Sequence, residues 1–151
     1  MNRDFAEMLA ALSAAGAEFL VVGAYAMAAH GLPRATGDID IWVRATRDNV
    51  ERVLRALCAF GAPLVDLTTE DLLRPDTVFQ IGIAPGRIDI LTGIDGVSFE
   101  DAWPNRLTVV IDNQPLPVIG LQDLLRNKAA TGRPKDQADL IWLQDQLRAR
   151  K

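Results

Sequence analysis

This sequence has little of what marks a secreted or membrane-bound protein. It contains a single cysteine, Cys58, which excludes an intramolecular disulfide. The position of Cys58 in an apolar helical pattern predicts a buried structural thiol. No apolar run approaches the roughly 20 residues that span a membrane, and the acidic start MNRDFAEMLA is not typical of a signal peptide. We therefore expect a soluble cytoplasmic protein with no membrane partner.

The sequence also has no strong positive charge. Its formal net charge is −4, so it has no general attraction for nucleic acid, and a polynucleotide would need a local basic patch. The only concentrated patch lies near the C-terminus. No internal repeat or low-complexity linker divides the chain. With 151 residues, of which 49 % are hydrophobic, residues 1–151 are expected to form a single domain.

The hydrophobic period switches several times between helical and strand values, which predicts an α/β fold. Asn2 is a candidate N-cap for a first helix, and Thr46 for a helix that Gly61 ends. The predicted helices cover residues 2–16, 24–31, 46–61, 121–132 and 135–150. The predicted strands cover residues 18–23, 38–43, 78–83, 87–92, 107–111 and 115–119.

Two aspartates interrupt the apolar strand DIDIWV. Side chains alternate along a strand, so Asp38 and Asp40 project from one face about 7 Å apart, and Ile39 and Ile41 project from the other. Two anions on a half-buried face repel each other and lose hydration unless a cation or basic groups balance them. Mg²⁺ suits such oxygen ligands. The alternative is that both acids are ordinary solvent-facing residues of an amphipathic sheet.

The later strand RIDIL repeats this arrangement with one acid, Asp89. If it lies beside the first strand, three carboxylates meet on one sheet face, as in two-metal sites for phosphoryl or nucleotidyl transfer. Upstream, Gly23 and Ala24 join a strand to a helix, where free backbone N–H groups can receive a phosphate. Such junctions also occur for reasons of packing.

Together these residues resemble a known family. The order strand, Gly23–Ala24, helix and then Asp38-Ile39-Asp40 is similar to the nucleotidyltransferase fold of the DNA polymerase β superfamily. That family usually has Gly or Ser where this chain has Ala24. The segments VVGAYAMAAHGLPRATGDIDIWV and LQDLLRNKAATGRPKDQADL resemble small bacterial nucleotidyltransferases of the abortive-infection and toxin–antitoxin type. The resemblance implies a mixed, partly antiparallel sheet flanked by helices, with two helices at the C-terminus.

The resemblance also implies roles for individual residues. Asp38, Asp40 and Asp89 would be the catalytic carboxylates and would hold two Mg²⁺ ions, with Mn²⁺ as a substitute. Asp89 would also help to deprotonate the incoming hydroxyl. Gly23 and Ala24 would bind the β- and γ-phosphates.

Basic residues complete the implied nucleotide site. Arg34 and Thr36, in the loop before the metal strand, are candidate phosphate contacts, although a loop arginine in a surface salt bridge is equally consistent with the sequence. Lys128, Arg133 and Lys135 would clamp the triphosphate or hold the acceptor. Alternatively they form a charged, solvated helix end. On such an exposed face, loss of the Lys128 side chain would cost little stability.

Two further acids lie close to these cations in the sequence. Asp136 and Asp139 either orient Lys128 and Arg133 or favour the N-terminus of the last helix.

The expected activity is transfer of a nucleoside monophosphate from an NTP to a hydroxyl, with release of pyrophosphate. The acceptor could be a side chain of a partner toxin or antitoxin, a tRNA end or a small molecule, and the low basicity of the chain favours the non-RNA acceptors. The alternative is a catalytically degenerate nucleotide-binding or partner-binding module of the same fold.

Overall fold

The computed structural model describes residues 1–32, 37–64, 66–83 and 85–150. Within these ranges it has six strands, seven α-helices and two short 3₁₀ turns. The strands are β1 (Phe19–Val22), β2 (Asp38–Val43), β3 (Val78–Ile81), β4 (Arg87–Leu91), β5 (Leu107–Ile111) and β6 (Gln114–Val118). The helices are α1 (Arg3–Ala14), α2 (Gly23–Ala29), α3 (Arg47–Phe60), α4 (Thr69–Leu73), α5 (Phe99–Ala102), α6 (Leu121–Thr131) and α7 (Gln137–Ala149).

All six strands form one mixed sheet in the order β3-β4-β2-β1-β6-β5. The pairs β3–β4, β1–β2 and β5–β6 are antiparallel, and the pairs β2–β4 and β1–β6 are parallel. The mixed, partly antiparallel sheet and both C-terminal helices are therefore confirmed. The strands β2 and β4 are neighbours although β3 precedes β4 in the chain, so the sheet brings the two acid-bearing strands together.

The buried side chains of α1 and α3 recur at helical spacing and face the core. In α1 the buried side chains are Phe5, Met8, Leu9 and Leu12, and in α3 they include Val50, Val53 and Leu57. The Asn2 side chain accepts hydrogen bonds from the first turn of α1, as predicted. In the described part of the chain, no helix is both long enough and apolar enough to cross a membrane.

Two details of α3 correct the sequence-based prediction. Cys58 is exposed rather than buried, because it lies one position beyond Leu57 and therefore about 100° round the helix from it. Thr46 occupies the N-cap position, but its side chain makes no capping hydrogen bond. Instead Asn49 anchors the start of α3: its amide nitrogen donates to the carbonyl oxygens of Glu18 and Arg44 at 2.9 Å.

The register of the sheet determines where the site forms. Asp38 pairs with Arg87 and Asp40 pairs with Asp89 across β2 and β4. On the other side of β2, Val22 at the end of β1 is opposite Asp40, so the turn from β1 into α2 begins beside the acids. Three segments that are distant in sequence thus meet at the N-terminal ends of β2 and β4, beside the turn from β1 into α2.

Candidate active site

Three carboxylates converge at the N-terminal ends of the parallel strands β2 and β4. Asp38, Asp40 and Asp89 each contribute an oxygen, and these oxygens all lie within 4.8 Å of one another. Asp38 and Asp40 are half-buried, and Asp89 is buried. The alternation of side chains along both strands places all three on one face because the strands pair in register. The convergence expected from the sequence is therefore present.

Arg87, which was not predicted from the sequence, also belongs to this group. Its Nε donates to Asp89 Oδ1 at 3.0 Å and its Nη2 donates to Asp89 Oδ2 at 3.1 Å. The same Nη2 donates to Asp38 Oδ2 at 2.6 Å. One guanidinium group thus bridges two of the three acids. Its position on this face could have been predicted, because Arg87 precedes Asp89 by two positions and residues two apart in a strand share a face.

The crowding of negative charge changes the protonation of Asp40. Burial and the negative charges of Asp38 and Asp89 raise the pKa of Asp40 from 3.8 to about 7, and the Arg87 charge only partly opposes this. Hydrogen bonding to Asp89 and its negative charge raise the pKa of Arg87, so Arg87 keeps its charge. Near neutral pH the group still carries more negative charge than one arginine balances.

Gly23 at the end of β1 allows the chain to pass this group closely. Its φ of +66° is a conformation that side chains rarely adopt, and a Cβ atom there would collide with the Asp40 carboxylate. Glycine is therefore required twice, once by the backbone and once by the neighbouring acid. Ala24 follows in the first turn of α2.

Most of these residues line a cleft of about 700 Å³, and Asp89 lies beside it. The cleft contains Asp38, Asp40, Gly23 and Ala24 from the sheet side together with three cations from the α6–α7 region. The cations are Lys128, Arg133 and Lys135. The structure thus brings together most of the residues that the resemblance implied, whereas Arg34 and Thr36 lie outside the described residues.

Lys128 corrects the expectation of an exposed cation. Only 10 % of its side chain is exposed, and its Nζ lies 3.1 Å from Asp136 Oδ1 and 3.3 Å from Asp139 Oδ2. Both carboxylates are buried. The packing of α7 against α6 places the two acids next to Lys128. Lys128 is therefore part of a mostly buried ion cluster and does not lie on a solvated helix end.

Asp136 is the centre of this cluster. It accepts hydrogen bonds from Thr131 Oγ1 at 2.6 Å and from Arg133 Nε at 2.8 Å, in addition to its contact with Lys128. Burial alone raises the pKa of Asp136, but the hydrogen bonds from Thr131 and Lys128 and the charge of Lys128 lower it to about 2. Asp136 therefore orients both cations, one of the two roles considered from the sequence.

Comparisons with known proteins identify the fold. Neither protein-family models nor curated proteins match this sequence. Among solved structures, a candidate nucleotidyltransferase (TM1012) from Thermotoga maritima is similar over 95 % of this chain and 92 % of that chain, with a TM-score of 0.62 and 18 % identity. This chain has the nucleotidyltransferase fold. The aminoglycoside nucleotidyltransferase ANT(2″)-Ia, in complex with adenylyl-2″-tobramycin, matches over 92 % of this chain and 84 % of that chain, with a TM-score of 0.54 and 14 % identity.

On this nucleotidyltransferase fold, the acidic group fits a divalent metal ion. The ligands are carboxylate oxygens, the type that hard cations prefer, and they are close enough together to share an ion. Burial and the charges of Asp38 and Asp89 raise the pKa of Asp40, so a cation bound there would favour its ionised form. Asp38, Asp40 and Asp89 are thus the residues that could hold a metal.

Proposed function

We propose that this protein is a metal-dependent nucleotidyltransferase, which moves a nucleoside monophosphate from an NTP to a hydroxyl group and releases pyrophosphate. The observation that carries the proposal is the convergence of Asp38, Asp40 and Asp89 beside a cleft that also contains Lys128 and Arg133. Such a cleft offers carboxylates for metal ions and cations for phosphates, as a triphosphate substrate requires. The fold similarity supports it.

In the proposed reaction the acceptor oxygen forms a bond to the α-phosphorus, and the bond from that phosphorus to the bridging α–β oxygen breaks. Asp38, Asp40 and Asp89 would hold Mg²⁺, with Mn²⁺ as a substitute. When bound, the ions neutralise triphosphate charge and lower the pKa of the acceptor hydroxyl. Asp89 takes the proton from that hydroxyl, and pyrophosphate leaves with the electrons of the broken bond.

The remaining cleft residues bind and orient the nucleotide. Gly23 and Ala24 offer accessible backbone next to the acids, where a phosphate can approach closely. Lys128 and Arg133 bind phosphate oxygens, and Asp136 fixes their positions through the contacts described above. Positions held in this way need little reorganisation when the substrate binds, which is the main way in which cations assist phosphoryl chemistry.

The acceptor is proposed to be a protein side chain or a small molecule. The net charge of −4 gives the chain no general attraction for RNA, and the structural neighbour ANT(2″)-Ia is in complex with an adenylylated small molecule. A tRNA end is the remaining acceptor. The sequence resemblance adds the proposal that the protein acts in a toxin–antitoxin or phage-defence system.

A second candidate is a nucleotide-binding or partner-binding module that does not turn over. Arg87 is the observation that favours it, because its guanidinium already neutralises part of the charge of Asp38 and Asp89. Such a module would bind nucleotide without transferring it.

The decisive experiment incubates the protein with each α-labelled NTP and Mg²⁺ in a cell lysate. We expect label in protein or in a small-molecule fraction, and none with Asp38→Ala or Asp40→Ala. Asp95→Asn is the matched control, since Asp95 is an exposed acid on the same cleft and should not affect transfer. Label in RNA alone would refute the proposed acceptor. Nucleotide binding without label in any fraction would favour the non-catalytic module.

A further inference from the structure

We propose that Arg87 competes with the divalent metal for Asp89 and Asp38, so that metal binding requires the guanidinium to withdraw. This inference rests on the metal site of the proposed function. Arg87 lines the same cleft as Asp38 and Asp40 and has about a third of its side chain exposed. It therefore has open space in which to move.

The hydrogen bonds of Arg87 show why the competition is direct. Both oxygens of Asp89 accept from the guanidinium, one from Nε and one from Nη2. The Asp38 oxygen Oδ2 accepts from Nη2 as well. Mg²⁺ or Mn²⁺ coordinates carboxylate oxygen at about 2.1 Å. An ion that takes an Asp89 oxygen at this distance must either share that oxygen with one of these hydrogen bonds or displace the bond.

Electrostatic repulsion also opposes the binding of a metal ion next to Arg87. A divalent ion between the carboxylates would lie next to a guanidinium that does not lose its proton in proteins. Two positive charges a few ångströms apart repel strongly in a partly buried site. The arginine therefore opposes the ion electrostatically even where a carboxylate oxygen has room for both.

A purely structural role makes the opposite prediction. If Arg87 only holds the acids in place, its removal would loosen the site and weaken metal binding. If Arg87 competes, its removal frees ligand oxygens and removes a repelling charge, so metal binding becomes tighter. The sign of the change in affinity thus separates the two roles.

The experiment measures Mn²⁺ binding to the purified protein without nucleotide at pH 8, by titration calorimetry and by the loss of the free-ion electron paramagnetic resonance signal. For Arg87→Gln we expect a Kd roughly tenfold lower than that of the parent, as removal of one charge-assisted contact implies. Arg87→Lys keeps a charge but cannot bind both Asp89 oxygens as a fork, so its Kd should lie between the two.

Two controls make the result specific. Arg44 also bridges two carboxylates, Glu18 and Glu100, but it lies outside the cleft. Arg44→Gln should leave the Kd for Mn²⁺ unchanged. Asp40→Asn should abolish or strongly weaken binding, which tests the metal site itself.

The outcomes separate this inference from the proposed function. If the parent binds Mn²⁺, Asp40→Asn does not, and both Arg87 variants bind with equal or weaker affinity than the parent, the competition is refuted and the metal site remains. If the parent binds no Mn²⁺, or Asp40→Asn binds as well as the parent, the metal site and the competition are both refuted. If Arg87→Gln does not fold, the Kd of Arg87→Lys decides.

Discussion

Replacement of Asp40 by asparagine should stabilise the protein in the absence of metal. The change keeps the shape of the side chain and removes one of the crowded negative charges. Raising the pKa of Asp40 from 3.8 to about 7 corresponds to about 4 kcal/mol of lost stability for the ionised form, at about 1.4 kcal/mol per pKa unit. Asp40 is only half-buried, and solvent screening reduces this cost, so we expect a gain of about 1–2 kcal/mol.

The pH dependence of this gain follows from the direction of the pKa change. Between about pH 4 and pH 7 the folded protein holds a proton on Asp40 that the unfolded chain releases, so the parent loses stability as the pH rises through this window. Above about pH 7 Asp40 is ionised in the folded protein, and the full loss of stability is present. The advantage of Asp40→Asn should therefore be largest at pH 8 and small at pH 4.5.

Thermal melts with EDTA at both pH values measure the effect. For a chain of this length the expected gain raises Tm by about 3–6 °C at pH 8. Adding Mg²⁺ should stabilise the parent much more than the variant, because only the parent retains all three ligands. Asp95→Asn, on the exposed rim, should change Tm little under all conditions. The reasoning would be refuted if the Tm of Asp40→Asn at pH 8 were equal to or below that of the parent. It would also be refuted if the two Tm values differed by the same amount at both pH values.

Three further predictions concern other parts of the cleft. Lys128→Met should lower the free energy of unfolding, measured in urea, by about 3 kcal/mol, because it removes a mostly buried cation that contacts the buried carboxylates Asp136 and Asp139; an unchanged midpoint would restore the solvated-surface interpretation. Gly23→Ala should lower Tm much more than Gly16→Ala, since both residues have φ near +70° but only Gly23 faces a carboxylate; equal losses would show that backbone strain alone acts. The contribution of Asp136 to the free energy of unfolding should be complete above about pH 4 and be lost as the pH falls towards 2. The free energies of unfolding measured in urea at pH 5 and pH 3 should therefore differ less for Asp136→Asn than for the parent.

The acidic group could be predicted because it depends on a short-range pattern. Alternation with a period of two places Asp38 and Asp40 on one face, whatever the rest of the fold. The pairing of β2 with β4 does not follow from the pattern itself, because strand order is a property of the whole sheet. The resemblance supplied that step, and the register Asp40–Asp89 confirmed it.

The expectation that Lys128 lies on an exposed, solvated helix face was wrong for a physical reason. In sequence Lys128 is a lysine near the end of an amphipathic helix, and most such residues are solvated. Its burial arises from the packing of α7 across α6, which brings Asp136 and Asp139 over it. Sequence periodicity describes the faces of each helix but not the angle at which two helices cross. By contrast, Arg87 could have been identified from its spacing to Asp89.

The order of strands in the sheet also affects how the protein is made. β1 is buried along its whole length and lies between β2 and β6. The neighbour β2 is synthesised soon after β1, whereas Val118 of β6, which pairs with Val21 of β1, is synthesised much later. Until β6 is made, the nascent chain therefore carries an apolar strand with one unpaired edge, and such edges attract other chains. Aggregation during expression should accordingly depend on how quickly β6 emerges from the ribosome and closes the centre of the sheet.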